Sequence, residues 1–209
     1  NLITHRYEIA EAQEAYASLN DPIALGIVLN YPDKINDLPS DTKITINTTD
    51  ADYEKQESII GIIGGGNYAS RVLIPAIKNS SKNLHTIVSS GGITAVNNAK
   101  KHGFKIASSD ITDLLSDQIT NTVFIATRHN LHAQQVISAL NNNKNVFVEK
   151  PLALTLEEVD QIEEVYKKVN SQRSSPLRLM VGFNRRFSPL VKKLMTLLEG
   201  HEHPMSSIM

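Results

Sequence analysis

The sequence predicts an α/β fold in which a parallel sheet is covered by helices on both faces. The first observation is local. An apolar run, Ile59 to Ile63, stops at Gly64-Gly65-Gly66, and a helical pattern follows with Val72, Leu73, Ala76 and Ile77 at helix spacing. The second is repetition, because strand-like and helix-like stretches alternate from Ser58 to Leu198. The third is the spacing Gly64-x-Gly66-x-x-Ala69, which suits the first turn of a dinucleotide-binding βαβ unit. Glycines allow the backbone to turn tightly and approach a pyrophosphate, and the following helix start offers N–H groups and a positive dipole end. Alanine at the third position satisfies its need for a small residue. The fold class is therefore a Rossmann-type doubly wound parallel sheet. A short N-terminal helix–strand extension precedes it, and the truncated start of a second α+β domain follows.

Composition bounds the function classes. The 209 residues carry a net charge of −1, with 41% hydrophobic and 21% charged residues. That balance is ordinary for a globular protein and offers no basic field for nucleic acid or an anionic membrane. Absence of cysteine excludes disulfides and thiolate metal sites and fits a cytoplasmic protein. No metal site is expected. No apolar run approaches the ~20 residues of a membrane helix. The first residues, Asn1 to Ala12, contain no initiator Met and no signal-peptide core, and the last stop at Met209 in polar sequence, so both ends read as cut from a longer polypeptide.

In chain order, residues 1–31 form a small unit. Ile9, Ala12, Tyr16 and Leu19 share a helix face, with Glu8, Glu11 and Glu14 early in it; Asn20-Asp21-Pro22 turns the chain, and Ala24 to Tyr31 is an apolar strand. Residues 32–57 are polar and read as a linker, with a short edge strand allowed by the alternation of Ile44 and Ile46. Residues 58–182 form the dinucleotide-binding domain. Its strands after the first are expected at Leu84 to Val88, Lys105 to Ala107, Val123 to Ala126, Asn145 to Val148 and Leu177 to Val181. Its helices are expected at Ile93 to His102 (closed by Gly103), from a cap at Asp110 or Thr112 to Leu115, at Asn130 to Leu140, and from the cap Thr155 to Val169. Residues 183–209 open the substrate domain, with a helix at Phe187 to Leu198.

Three strand ends carry candidate chemistry. The second strand closes on Ser89-Ser90-Gly91-Gly92, where a ribose-binding acid is usual. No acid and no arginine stands there, so Ser89 and Ser90 would face either a ribose hydroxyl or a 2′-phosphate, and NAD against NADP stays open. The fourth strand runs into Thr127-Arg128-His129-Asn130-Leu131-His132, where Thr127 and the following helix start could border the cofactor. The fifth ends in Glu149-Lys150-Pro151, and a Lys beside a Glu at a carboxyl strand end can orient a hydroxyl or carbonyl substrate.

Together these pieces resemble the glucose–fructose oxidoreductase/inositol dehydrogenase family (Gfo/Idh/MocA). The resemblance rests on Gly64-Gly65-Gly66-Asn67-Tyr68, Ala126-Thr127 with His132 five residues on, Glu149-Lys150-Pro151-Leu152-Ala153, and Val181-Gly182-Phe183-Asn184-Arg185-Arg186-Phe187. It implies hydride transfer between NAD or NADP and a carbinol carbon of a sugar, cyclitol or nucleotide sugar. It implies Lys150 as the catalytic residue and Gly64, Gly66, Asn67, Tyr68, Ser89, Ser90, Thr127, His132, Glu149 and Arg186 as cofactor-binding residues, with Arg185 a weaker match beside Arg186. The family's catalytic His has no counterpart here, and His201 and His203 do not match it. The extension resembles the tail of zinc-type medium-chain alcohol dehydrogenases, through Thr4, His5, Arg6, Tyr7, Glu11, Ala12, Ala15, Tyr16, Ala24, Leu25, Gly26 and Val28. That pairing implies a fragment of a fused two-domain oxidoreductase, inactive alone and self-associating. The competing reading is a non-catalytic dinucleotide-binding or sensor module; a methyltransferase is disfavoured by the Glu-Lys-Pro and Asn-Arg-Arg-Phe motifs.

Overall fold

A computed structural model describes residues 2–31, 42–47, 58–80 and 83–199. The chain divides into two compact units, Asn1–Asp41 and Thr42–Met209. Parts of the expected linker and the two C-terminal histidines lie outside the described residues.

In the first unit, β1 (His5–Glu8) and β2 (Ile27–Asn30) pair in parallel, His5 opposite Ile27 and Glu8 opposite Asn30. Helical turns at Ile9–Glu11 and Ser18–Asn20 flank α1 (Ala12–Ala17) between them. The first strand adds to the sequence reading, which expected no strand ahead of the helix and placed Glu8 early in that helix. Alternating half-burial along His5–Glu8 and a parallel partner at Ile27–Asn30 explain the difference: strand pairing satisfies backbone groups that a helix would satisfy locally. Thr4 is held at the opening of the strand, its N–H and hydroxyl both donating to the Gly26 carbonyl. Only Ala15 is buried in this helical stretch, and Tyr16 and Leu19 of its apolar face are exposed.

The second unit is a seven-stranded sheet. Its members are β3 (Lys43–Thr45), β4 (Ile60–Ile63), β5 (Leu84–Val88), β6 (Ile106–Ser108), β7 (Thr122–Ile125), β8 (Asn145–Val148) and β9 (Leu179–Val181), in the order β3-β6-β5-β4-β7-β8-β9. The six strands from β4 onward are parallel, and β3 adds to the edge in the antiparallel sense, with Ile44 opposite Ala107. The compact unit begins at Thr42, where β3 is the short edge strand that the alternation of Ile44 and Ile46 allows, pairing with β6. Strand order reverses at β4: β5 and β6 build to one side, β7 to β9 to the other. That reversal leaves a crevice at the carboxyl ends of β4 and β7, where open α/β sheets take their ligands.

Burial follows the pleat. β4 and β5 are buried along their whole length, as central parallel strands must be. Ile60, Ile62 and Ile87 pack to one face against α2 (Ile74–Ser80) and α3 (Gly92–His102), through Ile74, Ile77, Ala95 and Ala99. Ile63, Val123, Ile125 and Val148 pack to the other against α5 (His132–Asn141) and α6 (Leu156–Asn170), through Val136, Leu140 and Ile162. The expected caps are in place. Asp110 accepts from Thr112 N at 2.8 Å to open α4 (Ile111–Leu115), Thr155 and Glu158 form a capping box on α6, and Gly103 closes α3 at φ 88°. The last helix, α7 (Pro189–Leu198), starts two residues later than expected because Asn184–Phe187 forms a separate 3-10 turn and Ser188 takes the cap. No helix among the described residues is long and apolar enough to cross a membrane.

Candidate functional site

The glycine turn lies at the mouth of the crevice. Gly64 has φ 108°, and a Cβ there would fall 2.4 Å from the Ala126 carbonyl oxygen, so only glycine lets the end of β4 lie against the end of β7. Gly65 packs against α3 and the end of β5, and its carbonyl accepts from buried Asn98 Nδ2 at 3.1 Å. Gly66 differs from both, because a Cβ there would meet no atom within 4 Å. Its missing side chain leaves open space above the turn, and a pyrophosphate needs that space. Ser70 N–H donates to the Gly66 carbonyl at 2.9 Å as the helical run begins, and the run passes through a π-helical segment, Ala69–Leu73, before α2. The cradle fits a dinucleotide.

Two cavities adjoin here and share Tyr68, Ala126 and Thr127 in their walls. The larger, about 910 Å³, runs over Gly64, Gly66 and Asn67 to Ser89 and Ser90. The smaller, about 630 Å³, is walled by Tyr68, Glu149, Lys150, Phe183, Asn184 and Arg186, among others. Of the residues expected from the sequence, the first cavity collects the glycines, Asn67 and the serines, and the second collects Glu149, Lys150, His132 and Arg186.

Inside the second cavity three strand ends are linked. Tyr68 hydroxyl donates to Glu149 Oε1 at 2.9 Å, and Asn184 Nδ2 donates to the Tyr68 oxygen at 3.1 Å and to Glu149 Oε1 at 3.3 Å. Burial, then the hydrogen bond and charge of Glu149, hold the Tyr68 phenol above its ordinary pKa against the opposing donation from Asn184. Lys150 follows Glu149 across a cis bond to Pro151, is exposed, and has no side-chain partner among the described residues. Arg186 lies with its guanidinium 5.9 Å from the Phe183 ring centroid and 5.3 Å from that of Phe187, and its Nε donates to the Phe183 carbonyl. Lys150 and Arg185, without side-chain partners among the described residues, and the stacked Arg186 thus share one wall with a carboxylate that is already hydrogen-bonded.

Two expected residues are engaged elsewhere. Thr127 hydroxyl donates to Gln135 Oε1 at 2.6 Å. His132 is fully buried, with Nδ1 2.7 Å from the Pro151 carbonyl and Nε2 3.3 Å from the Thr127 carbonyl. Through these two contacts the imidazole ties the turn after β7 to the turn after β8. It positions the walls around Lys150 and offers no free nitrogen to a ligand. Asn184 and Asn98 were not anticipated as site residues. Asn184 stands inside the Asn-Arg-Arg-Phe motif, where the arginines draw the eye; Asn98 is a polar residue on the inner face of an amphipathic helix, a pattern that marks a buried hydrogen bond.

Residues 59–175 match the model of an oxidoreductase family with an NAD-binding Rossmann fold, Gfo/Idh/MocA. The chain belongs to this family. Similar proteins include the uncharacterized oxidoreductase YrbE of Bacillus subtilis, 30% identical over 70% of this chain and 41% of YrbE. The myo-inositol 2-dehydrogenase of Thermotoga maritima is 36% identical over 48% of this chain and 28% of its own. Among solved structures, the apo scyllo-inositol dehydrogenase of Lactobacillus casei aligns with TM-score 0.57 at 28% identity, covering 69% of this chain and 42% of that one. The 3-ketoreductase KijD10 of Actinomadura kijaniata, with NADP and TDP-benzene, aligns with TM-score 0.60 at 23% identity, covering 67% and 42%, and shares the fold. The chain spans less than half the length of these relatives. It carries the NAD-binding Rossmann fold of this oxidoreductase family, and its relatives include inositol dehydrogenases.

Proposed function

We propose that the protein carrying this chain transfers hydride between NAD or NADP and a carbinol carbon of a sugar, cyclitol or nucleotide sugar. The observation that supports this best is the adjacency of the two cavities. The glycine cradle and the Lys150 wall meet at Tyr68 and Thr127, so a dinucleotide lying over Gly66 would bring its nicotinamide end toward Lys150. The nicotinamide accepts or supplies the hydride. Lys150 is the catalytic residue: its ammonium holds the reacting oxygen and stabilises the negative charge that develops there as the hydroxyl proton passes to water in the open cavity. Glu149, fixed by Tyr68 and Asn184, keeps the strand end that carries Lys150 in register. Gly64, Gly66, Asn67, Ser89 and Ser90 line the dinucleotide, and Arg186 borders the cofactor or substrate.

Residues 1–31 are a tail of the alcohol-dehydrogenase type, residues 183–209 open a substrate domain, and the whole is a cytoplasmic, fused oxidoreductase. The chain by itself binds the dinucleotide without turnover. Leu190, Met195 and Leu197 of α7 are exposed, and this apolar surface favours self-association into a homo-oligomer.

The test is Lys150→Ala in the complete protein. A fall in kcat of about 100-fold or more is expected, in the range of acid–base and electrostatic groups, with dinucleotide affinity within about threefold. An unchanged kcat removes Lys150 from the chemistry.

A further inference from the structure

The adenosine end of the larger cavity has an unusual charge arrangement. The turn after β5 contributes Ser89 and Ser90 and no charge, yet two charged side chains line the same cavity. They are Asp110, beyond β6, and Arg128, beyond β7. Their distances from the ribose position differ by sheet order. β6 is the direct neighbour of β5, about 4.8 Å away, whereas β7 lies two strands over, on the far side of β4.

The β6 turn is also bonded to the β5 turn. Ser89 N–H donates to the Ser108 carbonyl at 3.0 Å, and Asp110 N–H donates to the Ser108 hydroxyl oxygen at 2.9 Å. A Cβ on Gly92 would lie 4.0 Å from the Ser109 Cβ. One residue, Ser108, therefore fixes Asp110 beside Ser89. Asp110 caps α4, accepting at Oδ1 from Thr112 N–H and also taking a bond from the Thr112 side chain, and it still lines the cavity. The neighbouring Asp113 is differently placed, since its Oδ2 already accepts from the Thr42 and Ser108 hydroxyls. Donation from Thr112 holds the Asp110 carboxyl below its ordinary pKa, so it is anionic at neutral pH.

We propose that this site takes the dinucleotide without a 2′-phosphate, NAD in preference to NADP, and that Asp110 supplies the carboxylate that the end of β5 lacks. A ribose diol placed over Ser89 has an anionic acceptor one strand away, in the role an acid at the β5 end usually fills. A 2′-phosphate in the same place, with about two negative charges, meets that carboxylate and no cation on β5 or β6 turns to offset it. The inference rests on the dinucleotide reading of the glycine cradle and adds the choice between cofactors.

Calorimetric titration of the complete protein with NADH and with NADPH tests it. NADH is expected to bind at least 10-fold tighter. Asp110→Asn keeps a capping side chain on α4 while removing the charge; it is expected to weaken NADH about fivefold and to leave NADPH unchanged or tighter, with an unaltered melting temperature. Ser90→Arg adds the missing cation and is expected to raise NADPH affinity. NADPH binding as tightly as NADH overturns the preference, and an unchanged NADH-to-NADPH ratio in Asp110→Asn overturns the role of Asp110. NADPH that is tighter and lost on Arg128→Ala would assign selection to the β7 end. Absence of binding by either dinucleotide would remove the cradle reading itself, and the preference with it.

Discussion

Two polar clusters stand at opposite ends of the same sheet. At the carboxyl end, Tyr68, Glu149 and Asn184 form a triangle on the wall of an open cavity, beside Lys150, Arg185 and Arg186. At the amino end, His85 on β5 and Lys144 just before β8 converge on the Asp117–Thr120 loop. His85 Nδ1 lies 3.0 Å from Asp117 Oδ2, and Thr120 hydroxyl donates to the same oxygen at 2.7 Å. Lys144 Nζ donates to the Asp117 and Thr120 carbonyls, at 2.5 and 2.7 Å. Here His85 and Lys144 are buried, Asp117 is half-buried, and each has fixed partners. The carboxyl-end cluster keeps Lys150 and Arg185 on the cavity wall without side-chain partners among the described residues. Saturated hydrogen bonding in a buried site specifies structure, while unmatched charge around a cavity is a capacity to bind.

Removing Asp117 should separate the two most strongly. Asp117→Ala leaves Lys144 and His85 buried without their carboxylate, and a loss of about 3 kcal/mol is expected in chemical denaturation. Dinucleotide affinity should stay within about twofold. The pH dependence has a definite sign. Burial acts to raise the Asp117 carboxyl, but the bonds from His85, Thr120 and Ile119 and the charge of His85 outweigh it and hold the group well below the carboxylate range. A depressed folded pKa contributes stability that is fully present above the unfolded value of about 3.9 and is lost as pH falls below it. The wild-type acid limb should therefore be steeper than that of Asp117→Ala below about pH 4, and parallel limbs would deny the coupling.

The glycine turn gives the converse experiment and the next largest effect. Gly66→Ala meets no protein atom, so its melting temperature should stay within about 2 °C, yet the methyl occupies the cradle and dinucleotide affinity should drop about 10-fold or more, roughly 1.4 kcal/mol. Gly64→Ala distinguishes fold from ligand at the neighbouring position. With φ 108° and the Ala126 carbonyl 2.4 Å away, it should lower stability as well as affinity. If Gly66→Ala bound the dinucleotide as tightly as wild type, the cradle would not hold the pyrophosphate.

How far these regions were legible in the sequence follows from the same contrast. The parallel core was readable because continuous apolar runs such as Ile59 to Ile63 have few alternatives to a buried strand. The three strand-end motifs were readable because their residue types are unusual at such positions. His132 was misjudged in use: a histidine at a carboxyl strand end looks like a ligand-facing group, and only the backbone path shows the Pro151 and Thr127 carbonyls closing on both ring nitrogens. The amino-end cluster was invisible, since His85, Asp117 and Lys144 are scattered in sequence and meet only through the strand order β5-β4-β7-β8 and the loop before β7. The β1 strand was missed because His5 to Glu8 continues smoothly into a helical pattern and is fixed as a strand by its partner 22 residues on.

Tyr68→Phe is the mildest and most specific probe of the carboxyl-end triangle. It deletes one donor to Glu149 while Asn184 keeps a second, and Tyr68 is partly exposed, so water can replace the lost bond. Stability should change by less than about 0.5 kcal/mol. If the triangle holds the Glu149–Lys150 strand end in register, kcat of the complete protein should fall about threefold to tenfold with dinucleotide affinity nearly constant, because Lys150 would be less well positioned at the reacting oxygen. If Tyr68 instead contacts the cofactor alone, affinity should fall and kcat should not. The ratio of the two effects decides whether Tyr68 belongs to the wall of the dinucleotide cavity or to the wall that carries Lys150, the two surfaces it joins.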